Sequence, residues 1–281
     1  MEWLTPDSEM PVRQGDILIN RDHQTGKIES TYLVITADCD ISKEKFGSQI
    51  AALRIISHNS YLMEIWGEKK LSKAVKDELS KLHVQITKWH SKLINTDSSL
   101  TANAALDWLM RAGSDEIVKS LSVPEDQSAR VKKSLNNAYN AFKLLENEKL
   151  SDLEKFVQFR AHSEEKSPEL VLEATVGSAQ KEALPDDTFF LPELPEKIGE
   201  GAVIMLREII GIDPKWICLK ATEAVSTRHY LRIARLKPEI KYAVSQAFGS
   251  LYSRIGMSAE YEARRKTAIQ GLTGKGWKIS C

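Results

Sequence analysis

The chain has 281 residues, 42% hydrophobic and 28% charged, with 39 basic and 39 acidic side chains that cancel to a formal net charge of zero. This composition excludes a disordered chain, no apolar run approaches the ~20 residues of a membrane span, and Cys39, Cys218 and Cys281 form neither a disulfide framework nor a paired zinc spacing. The cancellation conceals an asymmetry: from Arg228 onward there are eleven Lys/Arg against three Asp/Glu, a net +8, so residues 1 to 227 carry −8.

The first residues, Met1 to Asp7, have no basic n-region or apolar h-region, so a cytoplasmic protein with free thiols and no cofactor or metal is expected. Glycine and proline usage divides the rest into parts at 1–67, 68–165 and 166–281, because only Gly113 and Pro124 interrupt the stretch between Glu68 and Ser167. Few breakers point to helices, and frequent breakers between short apolar runs point to strands.

In the first part, Gly15 to Ile19 reads as a strand opening, Asp22 to Lys27 as a turn around Gly26, and Tyr32 to Thr36 as a central strand. Ile50 to Ile56 supplies the next strand. Tyr32 to Thr36 leads into Asp38-Cys39-Asp40, where an extended chain would put both carboxylates on one side and the thiol on the other. Two carboxylates can hold Mg²⁺ through water, and a thiolate can act as a nucleophile with a histidine from elsewhere. Adjacent carboxylates raise a thiol pKa, however, so Asp38, Cys39 and Asp40 read first as a structural turn with Cys39 inward, and only weakly as catalytic candidates.

The middle part changes period. Leu71, Val75, Leu79, Leu82, Ile86, Trp89 and Leu93 recur at steps of three and four, and Val131, Leu135, Ala138, Phe142 and Leu145 repeat that rhythm, which makes two helical stripes. Leu100 to Met110 is a shorter helix stopped by Gly113, Pro124 suits a first helical turn, and Ser151 with Glu154 forms a capping box. The stripes pack against each other in one chain or pair with a second copy, a homodimer through the helical insertion. His83 and His90, two turns apart on one helix, are too far separated for a shared metal and read as surface or interface residues.

The third part returns to strands: an extended, proline-bound edge at Phe189 to Pro195, then Gly201 to Ile210, Lys215 to Lys220 and His229 to Leu236. A final helix follows Pro238, with Ile240, Ala243, Val244, Ala247, Leu251 and Ile255 on its apolar face and Gly256 ending it. Within the basic segment, Arg228, Tyr230, Arg232 and Arg235 mix cations with an aromatic ring, and Arg264, Arg265 and Lys266 extend the charge, as on nucleic-acid-binding surfaces. The other reading is internal: Asp186, Asp187, Glu193, Glu196 and Glu200 could lie against this segment. Gly271 to Trp277 lacks the preceding strand and following helix of a phosphate loop.

Gly15-Asp-Ile-Leu, Tyr32-Leu-Val-Ile-Thr and Ile50 to Ser57 together resemble the opening of the PemK/MazF-type small β-barrel. That resemblance implies an α+β protein: an SH3-like, PemK-like barrel from both ends of the chain, a helical insertion at 68–165 and a C-terminal helix. Val34 to Asp40 with Phe189-Phe-Leu-Pro192, Ile233 to Glu239, Gln246-Ala-Phe248 and Arg254-Ile-Gly256 also resembles a family of uncharacterised bacterial proteins associated with mobile-element and phage-defence loci. MazF-like ribonucleases carry Arg-Pro just before the strand matching Tyr32 to Thr36. Here Glu29-Ser-Thr stands in that place, although Ser57 falls near the family's hydroxyl position, so cleavage by that mechanism is disfavoured and the barrel is expected to be a scaffold. The expected function is a non-enzymatic adaptor or regulatory component of a bacterial antiviral defence or toxin-like system that binds a protein partner. The alternative is a nucleic-acid-binding protein, with or without PemK-like endoribonuclease activity.

Overall fold

The computed structural model describes residues 2–22, 24–94, 100–182, 184–195, 200–253, 260, 263, 264 and 267. With 52% of residues helical and 21% in strands it is an α+β protein. It divides into two compact units: Met1–Ile55 with Pro185–Leu191 and Ile204–Cys281, and Ile56–Leu184 with Pro192–Val203.

The first unit is built on one sheet. The strands of the described chain are β1 (Trp3–Leu4), β2 (Asp16–Arg21), β3 (Ile28–Val34), β4 (Ile50–Ser57), β5 (Thr188–Glu193), β6 (Glu200–Ile212), β7 (Ile217–Cys218) and β8 (Tyr230–Leu236). Their order is β1-β8-β2-β3-β4-β6-β5, with β7 joined to β8, and the sheet is open and curled like half a barrel. β1, β8, β2, β3 and β4 pair antiparallel in succession, whereas β7 runs parallel to β8. β2 begins after Gly15, whose φ of 89° lies in the left-handed region that a side chain disfavours. Ile17, Leu18 and Ile19 are all at most 1% exposed, so β2 is buried on both faces, as its unbroken apolar run requires. Leu18, Val34, Ile50, Ala52 and Ile212 form a core with Val12, Ile41, Phe46 and Tyr230 packed around it. Burying each large aliphatic side chain contributes about 1.5–3 kcal/mol. β5 stands at the end of the sheet, where Pro192 removes no ladder hydrogen bond from a central strand.

Two local expectations in this unit give way to helix and turn chemistry. The segment Lys215 to Lys220 is mostly not strand: Pro214–Trp216 form a 3-10 turn, because Asp213 caps it by accepting from the Lys215 N–H at 3.1 Å. Asp38–Ser42 is a short helix, α1, rather than the end of β3, which stops at Val34. The C-terminal helix α8 is described over Pro238–Tyr252 and buries Val244 and Leu251, while the expected stop at Gly256 lies outside the described residues.

The second unit starts with α2 (His58–Ser60) and a π-helical turn, Tyr61–Trp66, which continue into α3 (Gly67–Ile94). It continues with α4 (Ala102–Ser120), α5 (Glu125–Leu144), α6 (Asp152–Glu164) and α7 (Pro168–Ala179). Starts follow the local code: Thr101 and Ser167 cap α4 and α7, and the Ser151–Glu154 box caps α6 with both of its hydrogen bonds. Gly113, at φ 75° and ψ 171°, breaks α4 into two helical stretches without ending it. Helices continue past residue 165 through α7, which Pro168 opens from its first turn. Leu82, Ile86 and Trp89 of one stripe and Val131, Leu135, Ala138 and Phe142 of the other meet in a single core with Leu109, Ile117 and Phe159. These stripe residues therefore pack within one chain. Where α3 begins, a Cβ on Gly67 would lie 2.5 Å from the Leu153 nitrogen, so only glycine lets the start of α3 approach α6 this closely. Among the described residues no helix is long and apolar enough to cross a membrane.

Candidate functional site

The Asp38-Cys39-Asp40 motif is placed by three tethers within the first unit. After β3, Thr36 keeps the chain beside β4 by accepting the Ala51 N–H at 2.7 Å, and Ala37 in extended conformation starts α1. Asp38 then accepts from the Gln14 N–H at 2.8 Å and from the Lys241 ammonium of α8, also at 2.8 Å. The Gln14 amide completes the bracket by donating to Ile35 O and Ser245 Oγ. Burial pulls the Asp38 carboxyl up, but the Lys241 and Gln14 hydrogen bonds and the charges of Lys241 and Arg13 outweigh it, so Asp38 titrates below its ordinary value.

Cys39 is exposed, not inward as the alternation of an extended chain implies, because a helical turn at 38–42 replaces that alternation. Its Sγ lies 3.7 Å from Asp40 Oδ1. Among the described residues no group of three His, Cys, Asp or Glu side chains is placed to hold a metal ion. Cys218 is buried, and burial together with Glu223 pushes its thiol pKa up, which makes it a poor nucleophile.

A folded-state pKa below the unfolded value means that Asp38 stabilises the fold above the ordinary carboxylate range, about pH 4, and loses that contribution as pH falls through its folded pKa. Asp38→Asn is expected to lower stability by about 1.5–3 kcal/mol near neutral pH, the range for hydrogen bonds to charged groups. Urea unfolding of both proteins at pH 7 and pH 3 checks this. The gap should narrow at pH 3, and an equal gap at both would show that the ionic pair contributes nothing.

The basic segment separates into internal and surface residues. Arg232 and Arg235 do not form a nucleic-acid surface: both converge on Asp16, which is fully buried at the start of β2. Arg235 grips it through Nε at 2.5 Å and Nη2 at 3.0 Å, and Arg232 Nη1 lies 3.7 Å away while donating to Met10 O and Pro11 O. Cross-strand register forces this pairing, because Asp16 sits opposite Arg235 in the β2–β8 ladder. Asp16 is thus an internal acid for this segment; of the stretch from Asp186 to Glu200, Asp187 lies 3.5 Å from Arg207, and Glu196 lies outside the described residues.

Tyr230 is half-buried, edge-on to Tyr32 with ring centres 5.8 Å apart, and burial with Tyr32 raises its phenol pKa. Arg228 is exposed, with its guanidinium 6.0 Å from the Trp216 ring centre. Lys215 approaches that ring at 5.3 Å, and the His229 ring lies tilted against it at 5.6 Å. Arg264 is exposed, 4.0 Å from Glu260; Arg265 and Lys266 lie outside the described residues, as does the Gly271 to Trp277 segment.

The ligand-sized depression of the second unit was not foreseen from sequence. α3, α6 and α7 enclose a cleft of about 330 Å³, within the size range of small-molecule sites. Trp66, delivered by the π-helical turn, stands at one side, with its indole N–H donating to Glu182 at 3.1 Å and Lys70 bridging to the same carboxylate at 2.6 Å. Phe156 stands in the cleft with the Arg160 guanidinium 5.8 Å from its ring centre, and Arg160 pairs with Glu164. Glu78 is buried and held by Lys81 at 3.1 Å, whereas Lys73 and Asp77 are exposed. No histidine or cysteine stands among the described lining residues, so the cleft offers aromatic surface and both signs of charge rather than a nucleophile with its base. Unusual Tyr61–Trp66 geometry is the signal that marks it, since π-helical turns frequently occur at functional sites. His83 and His90 stand apart from it on α3: the His83 ring hydrogen-bonds Leu100 O at 2.6 Å, and His90 is half-buried.

The chain matches no protein-family model, no curated protein and no solved structure.

Proposed function

We propose that this protein is a non-enzymatic adaptor whose helical unit docks an amphipathic helix of a protein partner on α7. One observation carries the reading. α7 is apolar around most of its circumference, yet it buries only Val171 and Thr175 and leaves Leu170, Leu172 and Val176 60%, 46% and 47% exposed. Leu172 and Val176, one turn apart, adjoin on the exposed side of α7 beside Glu169 and Glu173, and adjoining exposed apolar side chains mark interaction surfaces. The charged and aromatic cleft beside α7 offers contacts for the polar flank of a helix laid into a groove. In this reading the strand unit is a PemK-like, SH3-like half-barrel kept as a scaffold, supported by the Gly15–Asp16 opening of β2 and the β2-β3-β4 meander. Membership of a bacterial defence or toxin-like system rests on the motif resemblance alone.

The test is a photo-crosslinking residue placed at Leu172 in cells, with the more exposed Val84 on α3 as control, followed by affinity measurement on the reconstituted pair. One protein should cross-link from Leu172 and not from Val84, and Leu172→Glu/Val176→Glu should weaken its binding at least about 30-fold, the size of a hot-spot loss. Unchanged affinity in that double variant would end the reading. The competing nucleic-acid reading rests on exposed Arg228 with Lys215 and Trp216, and on Arg264 with Arg265 and Lys266, the last two outside the described residues. Single-stranded RNA bound at low salt by the wild-type protein and lost in Arg228→Ala would move the function to that face.

A further inference from the structure

Several exposed lysines of the helical unit have an acid beside them: Lys132 bridges to Asp115, Lys133 to Glu165 and Lys166 to Glu164. α3 departs from that pattern. Lys69, Lys73, Lys76, Lys88 and Lys92 are all exposed, and none of them forms an ion pair among the described residues. The exposed acids of α3 are Glu68 and Asp77, while Glu78 is buried and already held by Lys81. Like charges one turn apart destabilise a helix, and α3 carries them at Lys69–Lys73, Lys73–Lys76 and Lys88–Lys92. A partner of opposite charge relieves that repulsion.

Helix geometry sets these lysines on the two flanks of one ridge. At about 100° per residue, Lys69, Lys73 and Lys76 fall within about 60° of one another, and Lys88 and Lys92 lie roughly 110° further round. Val84, 67% exposed, stands midway between the two groups in angle, with exposed Ser80 one turn before it. The opposite side of α3 is committed to the core through Leu82, Ile86 and Trp89. Lys88 and Lys92 place their ammonium groups 5.5 and 4.6 Å from the Trp89 ring centre, which holds both stems on the same flank.

Spacing along the ridge narrows the kind of polyanion. Lys76 and Lys88 are about 18 Å apart along the axis at ~1.5 Å per residue. That gap covers the ~12 Å major groove of B-DNA together with its phosphate rims, whereas the major groove of an RNA duplex is deep and narrow. Trp89 is 5% exposed and lies beneath the lysines, so a single strand finds no ring there on which to stack its bases.

We propose that the lysine ridge of α3 binds the phosphate backbone of duplex DNA without sequence preference, with Lys69, Lys73 and Lys76 on one rim of a major groove and Lys88 and Lys92 on the other. Phosphate contacts of this kind position a duplex but do not read its bases. The inference is independent of partner docking on α7 and uses none of its residues.

Fluorescence anisotropy of the full-length protein with a labelled duplex of ~20 bp, two helical turns of arbitrary sequence, tests the ridge between about 50 and 200 mM salt. Binding is expected at the low end, equal for an unrelated sequence and weaker for a single strand of the same length. Each phosphate contact contributes ~0.9 to the slope of log K against log salt, so Lys69→Gln/Lys73→Gln/Lys76→Gln should lower its magnitude by about 2.7 and Lys88→Gln/Lys92→Gln by about 1.8. A photo-crosslinking residue at Val84 should capture the duplex with every lysine in place, so a lysine variant that fails to fold does not decide the outcome. No binding at low salt, or slopes unchanged in both variants, overturns the ridge as a DNA site. Single-strand binding as tight as that of the duplex overturns the groove-spanning arrangement, and phosphatidylserine vesicles bound in preference to DNA would give the ridge to a membrane surface instead. Duplex binding lost in Arg228→Ala but kept in both lysine variants would assign it to the strand unit and overturn the proposal as well.

Discussion

Asp16→Ala is expected to cost the strand unit about 3–5 kcal/mol, the range for removing one partner from a buried ion pair. Asp16 is fully buried, and the Arg232 side chain beside it is 1% exposed, so neither exchanges its partner for water. The carboxylate receives both donors of the Arg235 edge and the Arg13 N–H at 2.9 Å, while Arg232 reaches back to the carbonyls of Asp7, Met10 and Pro11. Removing Asp16 leaves two cations next to each other without their counter-charge. Burial already pulls the Arg232 pKa below its ordinary value, against the attraction of Asp16. The loss should appear locally as faster amide exchange of Ile17, Leu18 and Leu231 in the β2–β8 ladder, by about 10²–10⁴-fold at one decade per ~1.4 kcal/mol. Replacing Asp16 and Arg235 together with Leu and Met should cost less than Asp16→Ala, because no member of that pair then remains uncompensated. A loss below about 1 kcal/mol, typical of solvated surface pairs, would show that these arginines are open to water and would return them to the nucleic-acid surface.

The same trio explains how far the sequence could be read. β2, β3, β4, β6 and β8 and helices α3 to α6 and α8 announce themselves through local chemistry: apolar runs bounded by Gly15 and Gly26, stripes of period 3.6, and the Ser151–Glu154 box. α7 escaped because its apolar residues surround most of the helix instead of forming a stripe, although Pro168 opens it at the first turn. The roles of charged residues were less legible, because a count of charges does not reveal their partners. Arg235 meets Asp16 across 219 residues, and Lys241 meets Asp38 across 203. A basic, aromatic-rich strand therefore looks the same whether its arginines face solvent or a buried carboxylate. Asp38 is tied to Gln14 and to Lys241 of α8, contacts that no local pattern contains. Trp66 was invisible for another reason, since a single π-helical turn of six residues is too short for its period to show in the sequence.

Phe159→Ala should be the most damaging substitution in the helical unit, with a loss of about 3–5 kcal/mol. Its ring is fully buried on α6, edge-to-face with Phe142 of α5 at 5.5 Å and 89°, in the core that Leu82, Ile86 and Leu135 complete. The edge-to-face pair alone contributes about 0.5–1.5 kcal/mol beyond the area it buries. Neighbouring positions on α6 place Phe156 and Arg160 in the cleft, so loosening Phe159 moves the cleft wall without touching any residue that lines it. Phe159→Leu keeps most of the apolar volume and should lose clearly less, and Leu172→Ala, on the exposed side of α7, should change stability by no more than about 0.5 kcal/mol. Urea denaturation followed by helical circular dichroism ranks the three. Equal stability of the Phe159→Ala and wild-type proteins would mean that α6 is held by its polar flank and not by the shared core. In the expected order, Phe159→Ala loses fold and partner binding together, whereas the exposed α7 substitutions lose binding alone, which separates the residues that build the docking face from those that meet the partner.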